Sequence, residues 1–126
     1  MNDYKYNKEF LKVNGVDTIN SIDTFGEETY IEILTIFISE INDRLNKINE
    51  CYSNNNLKDY ATYVHAIKGE SGYLGFTTLA KMSLDHQLNA ESGNIEYIRN
   101  NYQPLLNEIA RIIKVGKIYL GEESIH

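Results

Sequence analysis

The spacing of apolar residues along the chain predicts four long helices. Between residues 27 and 52 the apolar side chains recur in steps of three and four, which is one stripe of an α-helix, and the same steps return between residues 95 and 114. Two more helices are predicted, from Leu57 to about Leu74 and from Thr77 or Thr78 to Ser92, with either threonine as N-cap. Runs typical of turns separate the helices at residues 53–56 and 93–94.

These elements predict an all-α fold. Short connections make neighbouring helices antiparallel, so we expect an up-down-up-down four-helix bundle over about residues 27–115. The N-terminal segment, residues 1–26, is predicted to contain one short helix from Asp17 to Phe25, with Asp17 as its N-cap. We treat residues 1–126 as a single domain.

Two features are expected to perturb the C-terminal part of the chain. Pro104 lies inside the last apolar pattern and removes one backbone hydrogen bond, so it should kink that helix or split off its first turn. Residues 116–126 continue no helical period and are expected to fray.

Composition and charge exclude several classes of function. Lys and Arg number 12 against 18 Asp and Glu, a net charge of −6 that disfavours nonspecific binding to nucleic acid or anionic membranes. Cys51, the one cysteine, has no partner for a disulfide, and no apolar run approaches the roughly 18 residues of a membrane span. The first ten residues carry no apolar signal core. A cytoplasmic protein without membrane contact is expected.

The chemically informative residue is His65, inside the second predicted bundle helix. At about 100° per residue, Ala61, Lys68, Gly69 and Gly72 fall within about 60° of it. His65 should therefore face solvent among small side chains and one lysine. The opposite side of that helix should face the core, and it carries Tyr60, Val64, Ile67, Ser71 and Leu74.

The two glycines on this face need a reason beyond helix stability. Each glycine inside a helix is less favourable than alanine by about 1 kcal/mol. Without side chains at Gly69 and Gly72, another protein can approach the imidazole closely, and Lys68 can offset the negative charge of a phosphoryl group. Neutral imidazole is a nucleophile near pH 7. An ordinary surface histidine beside a glycine kink is the alternative, and the combination on one face favours the nucleophile.

The pattern around this histidine resembles the signature of histidine-phosphotransfer (HPt) domains. The resemblance covers about residues 17–113, with an acidic start to the first bundle helix and Gly93-Asn94 before the last one. Its central string is His65-x-x-Lys68-Gly69-x-Ser71-x-x-x-Gly75-x-x-x-Leu79.

The resemblance implies roles for individual residues. His65 would be phosphorylated on an imidazole nitrogen. Lys68 would offset the negative charge of the phosphoryl group, and Gly69 would leave space for the partner protein. In several members of the family a Glu or Gln on the next helix orients the imidazole, and Gln87 occupies that position here. A glutamine with no role beyond helix packing is the alternative for Gln87.

Two positions depart from the family pattern. His86 stands where an apolar residue is usual, and its alignment with the core stripe of its helix indicates a partly buried, hydrogen-bonded histidine rather than a second phosphoacceptor. Glu91 stands near the position where some members carry a basic residue. Charge compensation would then depend mainly on Lys68, helped by Lys81.

The sequence offers no support for metal or nucleotide chemistry on this chain. His65, His86 and Cys51 lack the spacing of metal ligands, and the glycines do not form a GxxxxGK[ST] phosphate loop. We therefore expect no cofactor, no kinase activity with ATP, and a phosphocarrier whose Mg²⁺ belongs to the partner.

The functional hypothesis is a monomeric phosphocarrier that takes a phosphoryl group from a response-regulator receiver aspartate and passes it to another receiver. A hybrid sensor histidine kinase is a further expected partner, and the chain could be free-standing or a piece of one. The docking surface should include Ala61, Gly69, Gly72 and Tyr73. The alternative is a bundle of the same shape that sequesters a receiver or another partner without carrying phosphate.

Overall fold

The computed structural model describes residues 3–123, which contain six α-helices and no strand. Two short helices precede four long ones. In chain order they are α1 (Lys8–Val13), α2 (Ile22–Phe25), α3 (Glu27–Ser53), α4 (Leu57–Tyr73), α5 (Thr77–Glu91) and α6 (Ile95–Leu120).

The four long helices form the antiparallel up-down-up-down bundle that the sequence predicts. Helix α4 packs between α3 and α5, and α6 closes the ring by packing against α5 and α3. Helices α4 and α6 are therefore diagonal neighbours. No helix within residues 3–123 is both long and apolar enough to cross a membrane.

The bundle core contains large aromatic residues as well as aliphatic ones. Tyr30 and Tyr60 are 0% exposed, and Phe37 and Phe76 contact each other edge to face. A buried phenol needs a hydrogen-bond partner, and Tyr30 donates its hydroxyl to the carbonyl oxygen of Leu74 at 2.7 Å. This bond links α3 to the end of α4.

Asparagine side chains begin several of the helices. The side-chain oxygens of Asn56 and Asn94 accept the backbone N–H groups of the third residues of α4 and α6, each at 3.2 Å. The predicted threonine N-cap of α5 is wrong. Phe76 is the N-cap, and its buried ring has no atom that could accept a backbone N–H; the left-handed Gly75, at φ +77°, turns the chain just before it.

The N-terminal segment differs from its prediction. The helix expected from Asp17 to Phe25 is only α2, because Asp17 forms a turn in which its carboxylate accepts the backbone N–H of Asn20 at 3.1 Å. Ser21, not Asp17, is the N-cap. Helix α1 was not predicted, and it packs on the bundle through Phe10 and Leu11.

The C-terminal predictions also need correction. Helix α6 is continuous through Pro104, so the expected split of its first turn is wrong. Residues 116–120 do not fray, because Gly116 and Tyr119 are buried and the helix extends the bundle beyond residue 115. A left-handed Gly121 at φ +79° ends it. The last part of the predicted frayed tail, residues 124–126, lies outside the described residues.

Candidate functional site

His65 lies on the exposed face of α4. Beyond the backbone of α4 itself, a Cβ at Gly69 or Gly72 would meet no atom of residues 3–123 within 4 Å, so the space over both positions is open. The core side of the same helix is as predicted from the helical period, since Tyr60, Val64 and Ile67 are each 0% exposed. The histidine is thus presented to solvent by a helix that is anchored through its opposite face.

The structure brings Gln87 of α5 to the imidazole. Nδ1 of His65 lies 2.9 Å from Oε1 of Gln87, and Nε2 of Gln87 donates to Oε2 of Glu91 at 3.3 Å. An amide oxygen only accepts, so a neutral His65 in this arrangement carries its proton on Nδ1 and has a lone pair on Nε2. That is the form of imidazole that can attack an electrophile through Nε2.

Two concave surfaces meet at His65. The first, called here the α4–α5 groove, has a volume of about 610 Å³. The second, the α3–α4 groove, has a volume of about 460 Å³. The α4–α5 groove is lined by Lys58, Ala61, Thr62, His65, Gln87, Ala90, Glu91 and Gly93. The α3–α4 groove is lined by Ile33, Arg44, His65, Ala66, Gly69, Glu70 and Tyr73.

Sequence reasoning missed an ion pair in the α3–α4 groove. Nε of Arg44 lies 3.0 Å from Oε1 of Glu70, and both side chains are about one quarter exposed. Burial raises the pKa of the Glu70 carboxyl, and the guanidinium of Arg44 opposes that shift. The two residues are 26 positions apart on different helices, so no local pattern in the sequence could have paired them.

The predicted docking residues are only partly as expected. Tyr73 is 59% exposed and its ring lies 5.4 Å from that of Phe25, between ring centroids. Ala61 was expected on the exposed face but is 7% exposed, because the neighbouring α5 covers it, and it contributes to the wall of the α4–α5 groove. Gly69 and Gly72 are exposed.

Lys68 follows His65 by three residues on the same helix and is partly exposed. It makes no hydrogen bond or ion pair with any residue in the described part of the chain. Its ammonium group is therefore not committed to a carboxylate of the bundle. Lys81, by contrast, lies 3.5 Å from the carboxylate of Asp85.

His86 is the buried histidine that the sequence predicts. It is 1% exposed, its Nδ1 accepts from the hydroxyl of Tyr60 at 2.8 Å, and its Nε2 donates to the carbonyl oxygen of Asn101 at 3.1 Å. Burial lowers the pKa of His86, and the hydrogen bond to the carbonyl of Asn101 and the nearby Asp85 carboxylate oppose that shift only in part. Both nitrogens are occupied, so His86 has no free lone pair for a phosphoryl group.

The comparison with protein families agrees with this geometry. The model of the Hpt domain family matches residues 32–112, which is more than half of the chain and includes His65, Lys68 and Gln87. No curated protein and no solved structure matches the chain significantly. Hpt domains are phosphocarriers rather than kinases, and they act with receiver domains in two-component signalling. The match and the all-helical bundle together place this chain in the Hpt domain family.

Proposed function

We propose that this chain accepts a phosphoryl group on Nε2 of His65 from a receiver aspartate and passes it to another receiver aspartate. The observation that carries this proposal is the hydrogen bonding of the two imidazole nitrogens of His65 and the open space beside the ring. Within the described part of the chain its Nδ1 is engaged by Gln87 and its Nε2 makes no hydrogen bond, and the glycines beside it leave room for a second protein.

The chemical step is a displacement at phosphorus. The Nε2 lone pair of His65 forms the N–P bond, the P–O bond to the receiver aspartate breaks, and its electron pair leaves with the carboxylate. The imidazole keeps its Nδ1 proton and gains positive charge, which the carbonyl oxygen of Gln87 stabilises. The reverse displacement delivers the phosphoryl group to the next receiver.

Charge compensation in this proposal comes from both proteins. Phosphoryl transfer has a loose transition state, so positioning and neutralisation of charge on the phosphoryl oxygens account for most of the catalysis. Lys68 is a cation on the face of His65 that makes no ion pair in the described part of the chain, and Mg²⁺ would be held by the receiver. We propose no cofactor for this chain itself.

The docking surface in this proposal is the exposed part of α4 and the two grooves beside it. Tyr73 and Ile33 give the α3–α4 groove an apolar edge, and Gly69 and Gly72 supply the clearance. A receiver seated there would bring its aspartate close to His65 without meeting a side chain at positions 69 and 72. We further propose a monomeric, cytoplasmic carrier that serves receivers of separate response regulators or of a hybrid sensor kinase.

The test is phosphoryl acceptance by matched histidine variants. On mixing with a phosphorylated receiver domain encoded in the same genome, the wild-type chain should gain acid-labile phosphate. His65→Gln should abolish this gain with little change in helix content, because the side chain is exposed. His86→Gln, assayed below its own melting temperature, should still accept phosphate. Full labelling of His65→Gln would contradict the assignment.

The same experiment addresses the alternative function. A bundle that only sequesters receivers would bind the phosphorylated receiver and gain no acid-labile phosphate in any variant. Binding without labelling, for wild type and His65→Gln alike, would favour that alternative over the phosphocarrier.

A further inference from the structure

Glu91 has a position that helix stability does not explain. It is the last residue of α5, where the aligned peptide dipoles make a carboxylate unfavourable, and the last turn of that helix contains no basic residue. Its carboxylate instead accepts the side-chain N–H of Gln87, one turn earlier on the same face, at 3.3 Å. Both side chains line the α4–α5 groove together with His65.

The contact between Gln87 and Glu91 fixes which end of the Gln87 amide faces His65. A carboxylate only accepts, so it selects the amide nitrogen of Gln87 and turns the amide oxygen toward His65. Without Glu91 the amide could rotate and present its nitrogen to Nδ1 instead. Such a donor would require a lone pair on Nδ1 and would place the proton on Nε2, the nitrogen that must attack.

From this chain of contacts we infer that Glu91 is a positioning residue for phosphoryl transfer: it fixes the Gln87 amide so that His65 keeps its proton on Nδ1 and its lone pair on Nε2. The inference rests on the proposed function and names a residue that the sequence presented only as a departure from the family pattern.

The same contacts assist the chemical step after attack. When Nε2 bonds to phosphorus, the imidazole becomes cationic and its Nδ1 proton is held more strongly by the Gln87 oxygen. The negative charge of Glu91 polarises the amide in the direction that favours this cation. Since a protonated phosphoimidazole leaves as neutral imidazole, the arrangement assists delivery of the phosphoryl group as well as its acceptance.

The first measurement is the tautomer of His65 in the intact chain. Long-range ¹H–¹⁵N correlation spectra distinguish Nδ1–H from Nε2–H imidazole at a pH where the ring is neutral. Wild type should show the Nδ1–H form, and Glu91→Gln should show a mixture with the Nε2–H form. Glu122→Gln is the matched control, because it removes one exposed carboxylate beyond the end of α6, which is diagonal to α4. An unchanged His65 tautomer in Glu91→Gln would overturn the inference.

The second measurement is the rate of phosphorylation by phosphoramidate, whose P–N bond breaks to release ammonia. Glu91→Gln should slow labelling of His65 by about 2- to 10-fold, the range expected for losing one net hydrogen bond. Removal of a negative charge by itself should speed labelling, because phosphoramidate is an anion. Glu122→Gln measures the size of this charge effect on the labelling rate. Labelling of Glu91→Gln at or above the rate of Glu122→Gln would contradict the inference.

A double-mutant cycle tests whether Glu91 acts through Gln87. In a Gln87→Ala background, Glu91→Gln should cause no further slowing of labelling and should change the rate only as much as Glu122→Gln does. An equal slowing with and without Gln87 would show that Glu91 acts by another route and would overturn the inference. If the wild-type chain takes up no phosphate on His65 from either donor, the proposed function fails, while the tautomer spectra still decide the role of Glu91.

Discussion

The two described histidines of the bundle have opposite surroundings, and at the scale of single residues this difference decides their chemistry. His65 is exposed and has one nitrogen engaged, whereas His86 is buried and has both engaged. A neutral imidazole with a free lone pair can act as a nucleophile, and one whose two nitrogens are bonded inside the core contributes to stability instead.

The burial of His86 predicts how stability depends on pH. Burial lowers the pKa of His86 in the folded chain, so the unfolded chain takes up a proton first as the pH falls. Above the unfolded-state pKa of about 6.5 the two states bind equal numbers of protons at this residue, and its contribution to stability is complete. Below that pH, the free energy of unfolding should fall by up to about 1.4 kcal/mol per pH unit until the folded pKa is reached.

Urea denaturation at about pH 7.5 and about pH 5.5 checks this prediction. The loss of unfolding free energy between the two pH values should be smaller in His86→Gln than in wild type, because glutamine takes up no proton. Equal losses in the two proteins would show that His86 does not cause the pH dependence.

Lys68 is predicted to serve transfer and not folding. Lys68→Ala should slow phosphoryl acceptance at low ionic strength, where charge interactions are least screened, and should leave the melting temperature almost unchanged. Lys114→Ala is the matched control, since it removes an exposed lysine from α6, diagonal to α4. Transfer by Lys68→Ala at the rate of the control would remove this lysine from the proposed site.

At the scale of helices, α4 combines poor helix formers with the exposed face that carries His65. Gly69 and Gly72 are inside the helix, and open space surrounds both. Glycine there costs about 1 kcal/mol relative to alanine, so the helix depends on its buried face for stability. Function and stability should therefore respond in opposite directions when Gly69 is replaced.

Gly69→Gln tests this opposition. Glutamine should raise the free energy of unfolding by about 0.5–1 kcal/mol, because it is a better helix former and its Cβ would meet no atom of the described residues within 4 Å beyond its own helix backbone. Phosphoryl transfer should fall sharply, because the new side chain projects one turn after His65 into the docking space. Melting curves and transfer time courses on the same preparation measure both effects.

Asn100→Ala is the control for the gain in helix propensity, since Asn100 is exposed on α6. It should stabilise the chain and leave transfer unchanged. A Gly69→Gln protein that melts below wild type, or that transfers phosphate at the wild-type rate, would contradict this account of the glycine.

The helices that the sequence could predict are those whose apolar period is long. The buried side of α4 follows directly from 100° per residue, and the residues assigned to it are buried. Helix α1 has only six residues, too few for a period, and Phe10 and Leu11 stabilise it through contacts with the bundle. The tail predicted to fray began at Gly116, yet this glycine allows close packing inside α6, since a Cβ there would lie 2.9 Å from Ile38.

The helical period alone predicts the candidate site only as far as it lies on one helix, and Gln87 on the next helix was predicted from the family resemblance. His65, Lys68 and the glycines share the face of α4, so their proximity follows from the helical period. The contact between Gln87 and Glu91 lies within α5, whereas the contact between His65 and Gln87 also depends on how α5 is rotated about its axis against α4. That rotation is set by packing of the whole core, which a single sequence does not specify.

At the scale of the whole molecule, the N-terminal segment packs at one end of the bundle, where α4 ends and the C-terminal part of α6 lies. The backbone N–H of Tyr6 donates to the carbonyl oxygen of Tyr119 at 2.8 Å, and that of Asp17 donates to Gly75 at 2.8 Å. Arg111 of α6 donates to the carbonyl oxygen of Asn14 at 2.9 Å. The segment thus contacts the α4–α5 connection and α6, and it should contribute to the stability of the entire fold.

Alanine variants of two left-handed glycines can separate the stability contributed by the N-terminal segment from the backbone cost of replacing a glycine at a helix end. Gly75 and Gly93 follow α4 and α5 at φ +77° and +75°, so alanine at either position should cost about 1–2 kcal/mol from backbone conformation alone. At Gly93 a Cβ meets nothing within 4 Å, whereas at Gly75 it would clash with the backbone oxygen of Asp17 and with Ser21. Gly75→Ala should therefore lower the free energy of unfolding by about 1–3 kcal/mol more than Gly93→Ala does, since the segment must move away from the bundle.

Urea denaturation gives both values, and exchange of the Asp17 amide hydrogen should become faster only in Gly75→Ala. Equal losses in the two variants would mean that the N-terminal segment adds nothing to the stability of the bundle through this contact.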